Sequence, residues 1–293
     1  MKRVAKRLRS DVFAEPAAAD DDFAAPAPDA GSMAETRVLR HDAQQHDASR
    51  AVAAMADVRQ MRLLAKLAEF LLRPVGFVDP GRLRAGPLGP EAIVAMARTP
   101  GFAAPINAVI VDALHLNAVA VEAELISRLA TSTPHRLAAL LLIGPIATVD
   151  RLAATLAAAI LSKRVAGLIL RSDRQRAREA LGDEAFQFAV EEAPLLHAGL
   201  TELDLKLAGA GLTGAADAPE ALRAEIIDFG RSALGRFCDA TAPVVADLLA
   251  LRFPAASTYA DRARTVTALK PSHVEQVVKL VRRKEQSWSA FID

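Results

Sequence analysis

The sequence predicts an all-α protein: an irregular globular domain of about ten to twelve helices, preceded by a disordered N-terminal tail. Three observations carry that expectation. Ala and Leu dominate an apolar fraction of 52%, while aromatic residues make up only 4%. Ala and Leu lose little on entering a helix, whereas strands favour β-branched and aromatic side chains. Apolar residues recur at spacings of three and four from Val58 onward, and no alternating stretch of useful length interrupts them. Prolines stand at the starts of the expected helices, at Pro90, Pro105, Pro134, Pro219, Pro243 and Pro271. No fixed-period repeat is visible, so a regular solenoid is not expected.

Residues 1–55 carry a basic cluster, Lys2, Arg3, Lys6, Arg7 and Arg9, followed by Asp20, Asp21 and Asp22 in a low-complexity Ala/Pro/Asp stretch. Too little apolar surface is available there to offset chain entropy, so a tail is expected, with the helical domain spanning residues 56–293. In the first helix Val58, Met61, Leu64, Leu67 and Leu71 form one stripe with Ala68 beside them. Arg73-Pro74 ends it, because the residue before a proline avoids the α region. Pro74 to Pro90 holds four prolines and four glycines and reads as a turn-rich strap.

Helices are then expected over Pro90–Arg98, Pro105–Leu116, Val121–Ala130 and Pro134–Ile143. In the second of these Ile106, Val109, Ile110, Ala113 and Leu114 share a face, and Thr133 is the expected cap of the last. Val149, Leu152, Leu156 and Ile160 give the next stripe, with Asp150 near its positive end. Val165 to Leu170 is apolar nearly all round and is expected to be deeply buried. Ser172 or Asp173 caps a helix to Leu181, Gly182 stops it, and Asp183 starts another that ends at Ala193-Pro194. Gly199 to Pro219 reads as a loop. Beyond it lie Pro219–Cys238, Pro243–Phe253, Thr258–Leu269 and Pro271 to about Ser287.

The net charge is +1, from 36 basic and 35 acidic side chains among 293 residues, so no global field draws the chain to nucleic acid. Cys238 is the only cysteine, which excludes an internal disulfide and a cysteine-based zinc cluster. No apolar run approaches the roughly 18 residues that span a bilayer; Leu137 to Ile143 stops at Gly144-Pro145. Met1-Lys2-Arg3 has no apolar stretch behind it, so it is not a secretory signal. A soluble, cytoplasmic protein is expected.

Chemistry-bearing patterns are few. Gly209-Ala-Gly-Leu-Thr-Gly214 matches the dinucleotide fingerprint, but that motif works only between a buried strand and a helix, and Leu203 to Ala208 is not β-branched. His41 and His46 fall in the tail, while His115, His135, His197 and His273 are scattered singly. Cys238 follows an apolar helical stretch and reads as a small core residue. No GxSxG elbow or phosphate-binding loop is present. No catalytic, cofactor or metal site is therefore expected. At the chain end, Arg282, Arg283 and Lys284 precede Trp288 and Phe291. Either these aromatics fold back on their own domain, or the five residues form an aromatic and basic contact patch for a partner.

Four stretches in order resemble the SctK family of type III secretion systems (the YscK, MxiK and OrgA proteins). The first is Glu69-Phe-Leu-Leu-Arg-Pro-Val-Gly-Phe-Val-Asp-Pro80, and the second is Ile106-Asn-Ala-Val-Ile-Val-Asp-Ala-Leu-His-Leu-Asn117. The third runs from Ala139 to Gly199, through Leu142-Ile-Gly144, Leu161 to Leu170, Leu181-Gly-Asp-Glu184 and Ala193-Pro-Leu-Leu196. The fourth runs from Ile227-Asp-Phe-Gly230 to Arg252-Phe-Pro254 and a final basic helix. All are packing patterns, and the long tail and the Gly199 to Pro219 stretch depart from the family. The resemblance implies a non-catalytic scaffold of the cytoplasmic sorting platform. It would sit at the cytoplasmic face of the inner membrane and bridge the cytoplasmic domain of an SctD-like ring protein to an SctQ-like pod. SctL and the ATPase SctN would be linked indirectly. Two other classes compete: a helical enzyme, such as a hydrolase or terpenoid-type lyase, and a helical nucleic-acid binder using the basic C-terminal helix. A lyase needs acidic clusters for magnesium, and the only close aspartates are those of the tail.

Overall fold

The computed structural model describes residues 58–83, 86–116, 123–203 and 219–292. Two units are distinguished, Met1–Ala53 and Ala54–Asp293, and every described residue belongs to the second. The expected tail, the Gly209 to Gly214 motif and most of the Gly199 to Pro219 loop lie outside the described residues. Among the described residues there are fifteen α-helices and no strand, only isolated bridge residues at Leu88 and Val266. The chain is all-α.

In order, the helices are α1 (58–72), α2 (Pro90–Arg98), α3 (Ala103–Ala113), α4 (Ala123–Thr131), α5 (Thr133–Ile143) and α6 (Ile146–Ile160). The short α7 (Ser162–Ala166), α8 (Arg171–Leu181), α9 (Asp183–Gln187) and α10 (Ala193–Leu196) follow. The last are α11 (Pro219–Thr241), α12 (Pro243–Ala250), α13 (Arg262–Thr265), α14 (Pro271–Lys284) and α15 (Gln286–Ile292).

The longest helix, α11, runs against α6, and this is the most extensive helix pair in the fold. Small residues allow it: a Cβ at Gly230 would collide with the backbone carbonyl of Ala153. The α6 stripe of Val149, Leu152, Leu156 and Ile160 is buried as the sequence predicts, with Ala153 and Ala157–Ala159 filling in around it. Helix α5 is buried nearly all round, from Leu137 to Leu142, as expected of a central helix. A smaller cluster of Val75, Val78, Leu83, Ile93, Ile106 and Ile110 joins α2 and α3 to the strap after α1. That strap contains two 3-10 turns, Pro74–Gly76 and Pro80–Arg82.

Several local expectations are corrected. The core face of α1 is Leu63, Leu67 and Phe70, while Val58 and Met61 are exposed. Apolar residues occupy two faces of that helix, and periodicity alone does not choose between them. Val109 of α3 is likewise exposed, and Asn107 is buried in its place. Ile169 is 92% exposed and Leu170 62%, so Val165 to Leu170 is buried only at Val165 and Leu168. Neither Ser172 nor Asp173 caps α8, which starts at Arg171 after Leu170. Thr133 is the first residue of α5 and not its cap; its hydroxyl donates to the Ile292 carbonyl at 3.0 Å. The helix from Asp183 does not stop at Pro194. It passes through a π-turn, Phe188–Glu192, in which Ala193 N–H donates to Phe188 O, and continues as α10. Pro194 lacks the N–H an α register would use, and the wider turn precedes it. Ala198–Leu203 forms a 3-10 turn where a loop was expected. The basic helix α14 ends at Lys284, and α15 follows as a separate element.

The four stretches singled out in the sequence interlock through polar contacts. Asn107 accepts from Val75 N–H at 3.3 Å and donates to Ala103 O at 2.7 Å, tying the first to the second. Asp79 N–H donates to Leu251 O at 2.9 Å, and Arg82 Nε donates to Phe253 O at 2.6 Å, tying the strap to the fourth. Arg252, only 5% exposed, donates to the carbonyls of Leu141 (2.7 Å), Leu142 (2.8 Å) and Gly144 (2.6 Å). These carbonyls end α5, where the helix dipole is negative and a buried cation is favoured. Burial pulls the Arg252 guanidinium down to about 10, so it stays protonated at neutral pH. Asp228 of the fourth stretch accepts from Thr258 N–H at 2.7 Å and Thr258 Oγ1 at 2.6 Å, just beyond Pro254. Phe253 packs on Tyr259, ring centroids 5.1 Å apart.

Candidate partner interface

The five terminal residues lie on α14 and α15, which hinge at Glu285. Glu285 is itself buried and bonded to Arg151 and Ser287. The helix break splits the expected patch into three environments.

Trp288 is 6% exposed and belongs to the main core. Its ring lies 2.5 Å from where a Cβ of residue 144 would fall, so Gly144 is what lets α15 dock on the end of α5. The expectation of Trp288 as an exposed partner anchor is thereby corrected: its apolar ring fills the space over Gly144. Arg282 and Phe291 lie on one side. Arg282 Nη2 donates to the Ile292 carbonyl at 3.1 Å. That carbonyl also accepts from Thr133 and, at 3.1 Å, from Arg136, which pins the end of α15 to α5. Phe291 is half-buried and lines a groove of about 390 Å³ with Leu63, Leu140 and Ile143 as its floor and Arg62, Lys66 and Glu69 at its edge, the last two paired at 2.6 Å.

Arg283 and Lys284 face another way, toward the π-turn. Arg283 Nη2 lies 3.1 Å and Lys284 Nζ 3.6 Å from the Glu192 carboxylate, and Lys284 sits 4.3 Å over the Phe188 ring. Beneath them His197 is 3% exposed, with both ring nitrogens lacking a hydrogen-bond partner. Its pKa is lowered, first by burial and then by the charge of Arg283, with Lys284 and Lys279 adding and Glu192 opposing. The imidazole is neutral at pH 7.

Sequence reasoning missed the Phe291 groove, because its wall comes from α1, more than 200 residues away in sequence. The remaining candidates do not converge. Cys238 is fully buried, and burial pushes its thiol well up, away from the thiolate. His135 Nδ1 meets Ser132 Oγ at 2.7 Å, and His273 Nδ1 accepts from Lys270 N–H at 3.2 Å; both are local contacts at helix starts. Among the described residues no three His, Cys, Asp or Glu side chains are grouped to hold a metal ion, and no helix is long and apolar enough to cross a membrane.

Fold and surface together define an all-helical body whose polar contacts bind its own elements together and whose grooved face lies beside its last helix. The chain matches no protein-family model, no curated protein and no solved structure.

Proposed function

We propose that the chain is a non-catalytic scaffold of a type III secretion sorting platform. In this reading it acts at the cytoplasmic face of the inner membrane, bridging an SctD-like ring protein to an SctQ-like pod, with SctL and SctN linked through the pod. The observation that supports this most is the interlocking of the four SctK-like stretches. They are the strap, the α3 face, the α5 end and the Arg252 turn of one body, so their order in the sequence corresponds to one set of mutual contacts. The Phe291 groove supplies the partner surface. An apolar floor edged by Arg62 and by the Lys66–Glu69 ion pair suits the apolar face of an amphipathic segment, since apolar burial supplies affinity.

Co-expression of the full chain with an SctQ-like protein from the same genome tests the reading. Co-elution as a stable complex is expected. Separate elution of two folded proteins, from both the pod and the ring domain, would contradict it.

A further inference from the structure

The segment between α7 and α8 exposes two neighbouring aliphatic side chains, Ile169 and Leu170. They are not on a frayed end. Leu168 just before them is 8% exposed, Val165 is 1%, and Ala177 in the second turn of α8 is fully buried, so the core holds this corner from both sides. Leu168 N–H donates to Val165 O at 3.2 Å and Arg174 N–H to Leu170 O at 3.1 Å, which fixes the turn and aims the pair outward. The nearby helix α10, which packs on α7, also exposes Leu195 and Leu196.

Charge around the pair is one-sided. Residues 163–178 contain six basic side chains, Lys163, Arg164, Arg171, Arg174, Arg176 and Arg178, and one acidic, Asp173. Arg178 is paired with Asp183. Lys163, Arg171 and Arg174 are exposed and make no ion pair among the described residues. Arg171 and Arg174 occupy the first turn of α8, the end where the helix dipole disfavours a cation and where no side chain caps the backbone N–H groups. Both features are relieved by an anion outside the molecule. An outward aliphatic pair inside a cationic rim has the make-up of an interfacial anchor, in which apolar tips enter the acyl boundary while Lys and Arg meet phosphate groups.

We propose that this corner is a peripheral docking point for an anionic phospholipid surface. The inference stands apart from the scaffold reading, because lipid binding needs no secretion component. It is tested with the full chain and vesicles of phosphatidylcholine alone or mixed with phosphatidylglycerol. Co-sedimentation with the mixed vesicles only, weakening as salt is raised, is expected. Ile169→Ser with Leu170→Ser, and separately Arg171→Glu with Arg174→Glu, should each reduce binding roughly tenfold or more at unchanged melting temperature. Absence of binding by the unaltered chain would overturn the proposal. So would equal binding by both variants, which would place the lipid contact elsewhere, for instance at the basic cluster of Lys2 to Arg9. A full chain with Lys2, Arg3, Lys6, Arg7 and Arg9 changed to Gln that still binds mixed vesicles, and loses binding with the arginine reversals, would support it.

Discussion

Two of the places where the C-terminal helices meet the rest of the protein handle charge in different ways. At Gly144 the contact is dry: Trp288 covers the glycine, and Arg252 gives its guanidinium protons to three backbone carbonyls at the end of α5. At Glu192 the contact is more open: Arg283, with about half its side chain exposed, reaches a carboxylate that is itself partly exposed. The same residue type therefore does different work. Arg252 is dedicated to the fold, because it is buried and both of its terminal nitrogens are bonded to backbone carbonyls. Arg283 is weakly committed, because a surface ion pair contributes little and exchanges readily with solvent or a partner.

The largest effect separating the two places is expected at Arg252. Replacing it with Ala leaves the α5 carbonyls unpaired in a buried site, and a loss of about 4 kcal/mol is expected in denaturant unfolding. Arg252→Lys should recover little, because one ammonium cannot reproduce the planar fork that reaches three carbonyls. Full recovery by Lys would mean that charge alone matters there. Trp288→Ala comes next. Removing a buried indole should cost roughly 3 kcal/mol, seen first as hydrogen exchange of α15. A fully stable variant would show that the Gly144 contact is dispensable.

The smallest effect is a pH dependence at the more open contact. The His197 pKa is depressed in the folded state relative to 6.5, so the unfolded chain binds the proton more readily. The stability this group contributes is complete above about pH 6.5 and is lost as pH falls below it toward the folded value. His197→Leu should flatten that fall in thermal unfolding between about pH 7 and 5. An unchanged slope would mean that His197 is hydrated or paired in solution.

How far these contacts were legible in the sequence differs between them. The stripe of Val149, Leu152, Leu156 and Ile160 was readable because one helix face carries all its large residues. The α1 stripe was misread because Leu63 and Phe70 lie on a face that periodicity treats as equal to that of Val58 and Met61. Ile169 and Leu170 looked buried because composition says nothing about which way a turn points. The Arg252 junction was invisible, since its partners are backbone carbonyls more than 100 residues away and no side-chain pattern marks them. Of the five terminal residues, sequence identified an unusual cluster and left open whether its aromatics fold back; it did not mark the break at Glu285, which separates the inward Trp288 from Phe291 on its groove.

The central claim is that the grooved face beside α15 binds a partner while the Gly144 contact only builds the fold. Its most direct measurement is the affinity of an SctQ-like pod protein for Phe291→Ala and Arg62→Glu variants, with melting temperature recorded on the same samples. Each variant is expected to bind at least about tenfold more weakly while melting close to the unaltered chain, the signature of an interface residue. Undiminished affinity in stably folded variants of both kinds would contradict the claim.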